Sequence, residues 1–540
     1  LYDMIELRPQ DRQKLSVEMF EVSQLVNSGA SAQFIADAAA QLAQGSGEGS
    51  VAIRTLRERT AELERIQAKL DRELAQPIEV QDPVLITKLT QEQQKAEERR
   101  NEAELAVQSL APNYNLLRFK SVRADDVIKA LRPEEGFLLV RLGNEISYGF
   151  FVYNGEVQAY RIDLDFIKSQ AAVEILRDAV TVQHDIANQP VISGYDVVQS
   201  YELYRKIFAP IEDRFPKLKK LIVAQTGSLL SLPFGMLVSR PAERVSDFNY
   251  GRVRFLAQDV TLQYVTSTQS FVILRTAKEI HRAERSFAGF GDFVPAERKF
   301  LESNYKDPKC SADLDSMLAL GKLPGTKAEV QDISKTMNAS AGDILTGTNF
   351  TKENLLKLEL GKYQILHFAT HALLPTDLKW RSSPTMLVSP PAANAKLSDL
   401  YFDTDDVLNL KLNADLVVLS ACNTSSQGQV SSGESLSGLA QSFFVSGVRG
   451  LVVSHWLAAD QSTMIIMTNF YRLVASKNYD SSDALRLAQL ELFNRAGRDL
   501  PVYFSHPLFW AVFTPMGDGI TKESGISQQA APAENPERKK

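Results

Sequence analysis

The sequence predicts an α/β protein: a largely parallel sheet covered by helices on both faces, with an α-helical arm at the N-terminal end. Three observations carry this. From about residue 285 onward, short continuous apolar runs alternate with amphipathic stretches, the pattern of buried parallel strands and their crossover helices. Residues 1 to 120 instead carry helical spacing almost throughout. Between these regions lies a stretch rich in β-formers that contains a tight-turn signal.

The elements follow in order. "KLSVEMFEVSQLVNSGASAQFIADAAAQLAQGSGEGS" holds two helical stretches and a Gly/Ser break. Ile53, Leu56, Thr60, Leu63, Gln67, Leu70 and Leu74 then recur at three- and four-residue steps, a helical-hairpin or coiled-coil seam. "QPIEVQDP" turns the chain, and "LTQEQQKAEERRNEAELAVQSL" returns as a second helix. After Pro112, "GFLLVRLGNEISYGFFVYNGEVQAYRI" reads as an antiparallel hairpin closed at Asn154-Gly155. "LKKLIVAQTGSLLSLPFGML" places a short buried strand before a turn. Strand and helix then alternate through "RSFAGFGDF", "GTKAEVQDISKTM", "YQILHFATH", "LNADLVVLSA", "RGLVVSHW" and "SDALRLAQLELFNRA". The polar, Pro/Ala-rich end, "GITKESGISQQAAPAENPERKK", has little to bury and is expected to be disordered.

Composition narrows the function classes. The 540 residues exceed what one core holds, so two to four domains are expected. A net charge of −6 leaves no basic excess for phosphates, and "KLKK" and "ERKK" read as solvated surface, which argues against direct nucleic-acid binding. No apolar run reaches the ~18 residues of a membrane span. The two cysteines, Cys310 in a polar segment and Cys422 behind an apolar run, do not read as disulfide partners. The chain begins at Leu1, as expected of a piece of something longer.

The chemistry centres on "YQILHFATHA" and "LVVLSACNT". His371 closes one buried strand and Cys422 closes another, 51 positions later, enough for a loop, a crossover helix and a return. Active sites of open α/β sheets form beyond the carboxyl ends of parallel strands. If these strands are neighbours, imidazole and thiol emerge on one edge. A thiol attacks as its thiolate, and an imidazole takes its proton and later protonates the leaving amine. The N–H of Cys422 itself is placed to hold the oxyanion. His367, four residues before His371, reads as a hydrogen-bonded core residue that supports the site. Other chemistries fail on missing residues. "GDILTGTN" lacks the lysine of a phosphate loop, and "GESLSG" lacks the closing glycine of a serine-hydrolase elbow. The histidine pair has no following Glu and sits on a strand, against a zinc site. Trp456 and Trp510 read as core or pocket wall.

"YQILHFATHA", "LVVLSACNTSS", "GESLSGLAQSFFVSGVRGLVVSHW" and "HPLFWAVFTPMGDG", with "LYRKIFAPIEDRFPKLKKLIVAQTGSLLSLPFGML" and "LPGTKAEVQDI" upstream, resemble the CHAT domain, a branch of the caspase-like (clan CD) cysteine peptidases. The resemblance covers about residues 125 to 518. It implies a caspase-hemoglobinase-like sheet with a degenerate first half at 121–280, an active half at 281–518, a helical arm or coiled-coil-like linker at 1–120 and a disordered tail at 519–540. It implies a peptidase dyad of His371 as base and Cys422 as nucleophile, with the backbone N–H groups of Ala372 and Cys422 on the oxyanion. The family usually has glycine after this histidine, and Ala372 resists positive φ. Ser420, small and neutral, is the expected wall for the substrate residue before the cut, with Glu434 and Ser435 as further substrate contacts. The chemistry requires no metal or organic cofactor. The expected partners are a protein substrate and an upstream tetratricopeptide-repeat region or sensor of bacterial type, with no membrane partner and a cytoplasmic location. The alternative is a catalytically weak CHAT scaffold that signals through protein–protein contacts.

Overall fold

The computed structural model describes residues 1–25, 48–74, 82–110, 121–184, 190–245, 247–276, 283–305, 311–373, 384–391, 395–410, 412–420, 439–440, 442–444, 446–456 and 460–521. The chain divides into two compact units, Leu25–Ser121 and Leu1–Gln24 with Val122–Lys540. The smaller unit is the expected helical hairpin, built from helices Glu48–Leu74 and Pro83–Leu110. Leu56, Leu70, Leu89, Ala96 and Ala103 are buried in it, Gln67 bonds to Gln93, and Arg99 pairs with Glu62 at 2.7 Å. The expected arm was drawn too long: Leu1–Gln24 belongs to the other unit. Phe20, fully buried on helix Arg12–Ser23, packs edge-on against Phe137 and Phe150, and Gln24 exchanges two hydrogen bonds with the Val122 backbone.

The larger unit is organised by one sheet. Its first part holds β1 (Glu135–Arg141), β2 (Ser147–Tyr153) and β3 (Glu156–Ile162). The β2–β3 hairpin turns at Asn154 (φ 50°) and Gly155 (φ 82°), the paired positive angles of a type I′ turn that the Asn-Gly signal predicts. β4 (Gln183–His184) and β5 (Pro190–Val191) form a separate ribbon, and β6 (Lys220–Ala224) and β7 (Thr261–Val265) rejoin the sheet beside β1. Next come β8 (Arg285–Gly291), β9 (Ile344–Thr346) and β10 (Tyr363–Phe368). A small antiparallel sheet follows, with β11 (Ala372–Leu373), β12 (Thr385–Leu387) and β13 (Tyr401–Asp403). β14 (Leu416–Leu419), β15 (Gly450–Ser454) and β16 (Phe513–Gly517) complete the set. Among the described residues the main sheet has eleven strands, in the order β3-β2-β1-β6-β7-β16-β15-β14-β10-β8-β9.

β1, β6 and β7 are mutually parallel, and so are β15, β14, β10, β8 and β9. β16 pairs antiparallel with β15 and stands between the two blocks. Side chains leave β1 alternately for two different cores, Leu138 and Val140 for one, Phe137 and Leu139 for the other, so the sheet is covered on both faces. Asp165 and Asp196 cap helices Phe166–Ala179 and Val197–Phe208 by accepting backbone N–H groups of their first turns. The expected disordered tail also began too early. Ile520 is buried and its carbonyl accepts from Ser481 N–H, so the fold runs at least that far; 522–540 lie outside the described residues.

Two features position the site. Chain order passes from β8 outward to β9 and then back to β10 on the other flank of β8, so the β8/β10 boundary is a topological switch point. The helix Pro324–Thr336 packs closely over β8, where Gly289 leaves room: a Cβ there would stand 2.8 Å from the Val330 side chain. The helix buries Thr326, Glu329, Val330 and Ile333, one face at the i, i+3, i+4, i+7 spacing.

Candidate active site

The expected adjacency is present. β10 and β14 are parallel neighbours in the register Phe368 beside Leu419, and Ser420 N–H donates to Phe368 O at 2.8 Å, carrying the ladder one residue further. Counted from that pair, His371 and Cys422 each stand three residues beyond the strand ends. Cys422, Glu434, Ser435 and Cys310 lie outside the described residues. His371, Ala372 and Ser420 lie within them.

His371 is fixed from three sides. Its carbonyl accepts from Leu387 N–H at 2.8 Å, and the preceding Thr370 hydroxyl donates to Leu387 O at 2.7 Å, which pins the backbone to β12. The ring meets Phe293 edge-on at 5.5 Å. Nε2 lies 2.8 Å from the carbonyl oxygen of Gly321, in the turn before helix Pro324–Thr336. A carbonyl only accepts, so this bond places the ring proton on Nε2 and leaves Nδ1 as a bare acceptor. Nδ1 is buried and has no hydrogen-bond partner among the described residues. Burial lowers the His371 pKa from its ordinary value, against a smaller opposing effect of the Gly321 bond, so the neutral ring is favoured.

Ala372 begins β11 with ordinary backbone: it is not among the residues of positive φ, so alanine is unstrained where the family's glycine was expected. Because Leu387 N–H bonds His371 O, the next pair in register, Ala372 and Met386, is a non-hydrogen-bonded pair. The Ala372 N–H therefore points away from β12, free of that ladder.

Ser420 is 9% exposed, and its hydroxyl turns inward to donate to Glu329 Oε1 at 2.7 Å. Its hydroxyl is thus committed to Glu329. The same Glu329 oxygen lies 3.1 Å from His367 Nε2, off the line that a ring N–H donation requires. His367 Nδ1 meets the Tyr471 hydroxyl at 3.0 Å. Two partners of this site carried no sequence signal of their own: the Gly321 carbonyl is backbone, and Glu329 reads in sequence as one more charged residue of an amphipathic helix. Trp456 and Trp510 are 2% and 1% exposed and belong to the core. Among the described residues no cluster of three or more metal-ligating side chains is present, and no helix is long and apolar enough to cross a membrane.

The frame is thus a two-faced, largely parallel α/β sheet with a buried imidazole just past its switch point. Residues 199–518 match the CHAT domain, and the chain belongs to that family. Two crystal structures of the Saccharomyces cerevisiae separase–securin complex contain chains similar to this one at 9% identity. One match has a TM-score of 0.43 and covers 86% of this chain and 37% of the other; the second has a TM-score of 0.41 and covers 86% and 38%. This chain thus spans little more than a third of those neighbours' length. Comparison with curated proteins gives no match.

Proposed function

We propose that this CHAT protein is a cysteine endopeptidase that cuts a protein partner under control of its helical N-terminal region. The observation that supports the reading is the bare, buried Nδ1 of His371, whose Nε2 is taken up by the Gly321 carbonyl, on the segment that follows β10, with Cys422 at the same offset in sequence past the end of the neighbouring β14. In this reading the Cys422 thiol passes its proton to His371 Nδ1, and sulfur attacks the scissile carbonyl carbon. The N–H groups of Ala372 and Cys422 hold the tetrahedral oxyanion. The imidazolium returns the proton to the leaving amine. Water, deprotonated by the same nitrogen, then releases the acyl group from sulfur. Ser420 supplies the small wall before the cut, and Glu434 and Ser435 supply further substrate contacts. An upstream tetratricopeptide region or sensor provides the trigger, in the cytoplasm. The test is labelling of the full chain with a thiol-reactive peptide probe. C422A is expected to abolish labelling and any partner cleavage, and cleavage that persists in C422A overturns the assignment.

One observation favours a second reading, a scaffold that keeps the dyad but turns over little: His371 is only 5% exposed. Failure of the probe to label Cys422 with candidate partner proteins present selects this reading.

A further inference from the structure

We infer that Arg177 reads an acidic side chain of the bound peptide, on the side before the cut; this rests on the peptidase reading above. Arg177 lies in the last turn of helix Phe166–Ala179, in the first part of the larger unit, yet its side chain ends on the other block of the sheet. Nη1 donates to the carbonyl of His455, the first residue past β15, at 3.0 Å, and to that of Ser231 at 3.4 Å. The guanidinium carbon stands 5.3 Å from the ring centre of the buried Trp456. Nε and Nη2 hold no hydrogen bond among the described residues and are open to solvent.

What this cation lacks is an anion. Arg275 is held between two carboxylates, whereas no carboxylate pairs with Arg177 among the described residues. Burial pushes its pKa down to about 10, against a lesser opposing effect of Asp178, its exposed neighbour in the chain. The group therefore stays charged at neutral pH. Carbonyl dipoles and a ring face offset part of the cost of desolvating a cation, and a full counter-charge offsets more. The Trp456 contact and the two Nη1 bonds also fix the guanidinium plane. They leave the Nε–Nη2 edge free, the two-donor fork that a carboxylate fits.

The place of that fork is set by the sheet. β10, β14 and β15 are parallel neighbours, with Phe368, Leu419 and Val453 level. Counted from that row, His455 stands two residues beyond and His371 three, so Arg177 is anchored on the edge from which His371 emerges. β10 and β15 are two strand spacings apart, about 10 Å, which an extended peptide crosses in about three residues. Ser420, the proposed wall for the residue before the cut, follows β14 between them, so the residues before the cut run toward Arg177. An aspartate or glutamate arriving there completes the fork and supplies the missing charge.

The test uses the full chain and capped tetrapeptides ending in a thiol-reactive acyloxymethyl ketone, with Asp or Asn placed in turn at each position. Labelling of Cys422 is followed by mass spectrometry. In the wild type, Asp is expected to label roughly tenfold faster than Asn at one position. R177Q keeps a donor for the His455 carbonyl but no charge, and there the ratio is expected to fall to within about twofold. R177K keeps the charge without the planar fork and is expected to give an intermediate ratio. It replaces R177Q in the comparison if R177Q does not fold, and a ratio unchanged in R177K then overturns the inference. So does a wild-type ratio under about twofold at every position, or a preference that survives in R177Q. If no probe labels Cys422, the peptidase reading fails, and equilibrium binding of the same tetrapeptides as fluorescein-tagged amides decides this claim. Roughly tenfold tighter binding of an Asp peptide, lost in R177Q, retains Arg177 as a reader of acidic peptides. Equal or undetectable binding removes it.

Discussion

His371 Nε2 and the carbonyl oxygen of Gly321 meet at 2.8 Å across fifty residues of chain, and that contact decides which ring nitrogen is available for chemistry. The proton is committed to Nε2, so in the proposed dyad Nδ1 serves as the base. Burial lowers the pKa of this ring below 6.5, which keeps it in the competent form through neutral pH. The rate of peptide-probe labelling is expected to be flat on the acid side of neutrality and to fall only below about pH 6.5. H371A should reduce labelling by roughly 10²- to 10⁴-fold. A profile that already falls between pH 8 and 7 would contradict the assignment of Nδ1 as a buried base.

Ala372 sits in β11 at negative φ, with its N–H turned from β12. Restoring the family's glycine relieves no strain here. A372G is expected to leave probe labelling within about twofold and to cost about 0.5–1 kcal/mol of stability through added freedom of the unfolded chain. Kinetics and a urea melt on the same preparation check both halves. A tenfold gain in labelling would mean that this backbone changes conformation before reaction.

The blocks of the sheet are tied by a buried charge cluster. Arg275, 3% exposed, forms a two-pronged pair with Glu135 on β1 at 3.0 and 3.1 Å, and its Nε lies 2.9 Å from Asp518, just past β16. Arg132 also reaches Asp518, at 3.2 Å. Removing the central cation leaves the buried Glu135 without its ion-pair partner and takes one of its cations from the buried Asp518. R275M is therefore expected to destabilise the larger unit by about 3–5 kcal/mol, read as a fall in the urea midpoint. R275M combined with E135L should recover part of that loss, because Arg132 still partners Asp518. A single variant costing under about 1 kcal/mol would show that water reaches the cluster.

Much of this was legible because apolar runs report burial and their ends report where side chains emerge. "YQILHF" and "LVVL" read as buried strands and became β10 and β14, side by side and parallel. Asn154-Gly155 read as a hairpin because few other residue pairs adopt two positive φ angles. Helix Arg12–Ser23 misled, since its spacing matches that of the arm helices and only the cavity filled by Phe20 assigns it to the sheet. Gly321 was silent, because a backbone carbonyl leaves no trace in residue type. Glu329 was silent for another reason: the buried stripe of its helix continues through Thr326 and Glu329, so its polarity hides the face it occupies.

Two further histidines set how the fold responds to acid. His455 follows β15, with Nε2 2.8 Å from the Thr514 hydroxyl. His506 lies at the start of helix Pro507–Trp510, where its Nδ1 accepts from Leu508 N–H and its Nε2 donates to Ser193 O. Burial is the main cause that lowers His455 to about 3 and His506 to about 4, both from 6.5. These rings are neutral when folded, whereas in the unfolded chain they take up protons as pH falls through about 6.5. Below that value the unfolded state binds more protons, so stability drops as pH drops, by up to about 1.4 kcal/mol per pH unit for each ring. The loss continues until the folded-state values are reached. Urea midpoints should thus be level from pH 8 to 7 and decline from pH 6.5 to 5, ahead of most carboxylate titration. H506Q, which keeps a side-chain acceptor but cannot charge in this range, is expected to remove about a third to a half of that slope, His371 and His455 supplying the rest, while lowering stability at pH 7. A slope unchanged in H506Q would mean that His506 is protonated within the fold and that its bond to Ser193 is not what holds it.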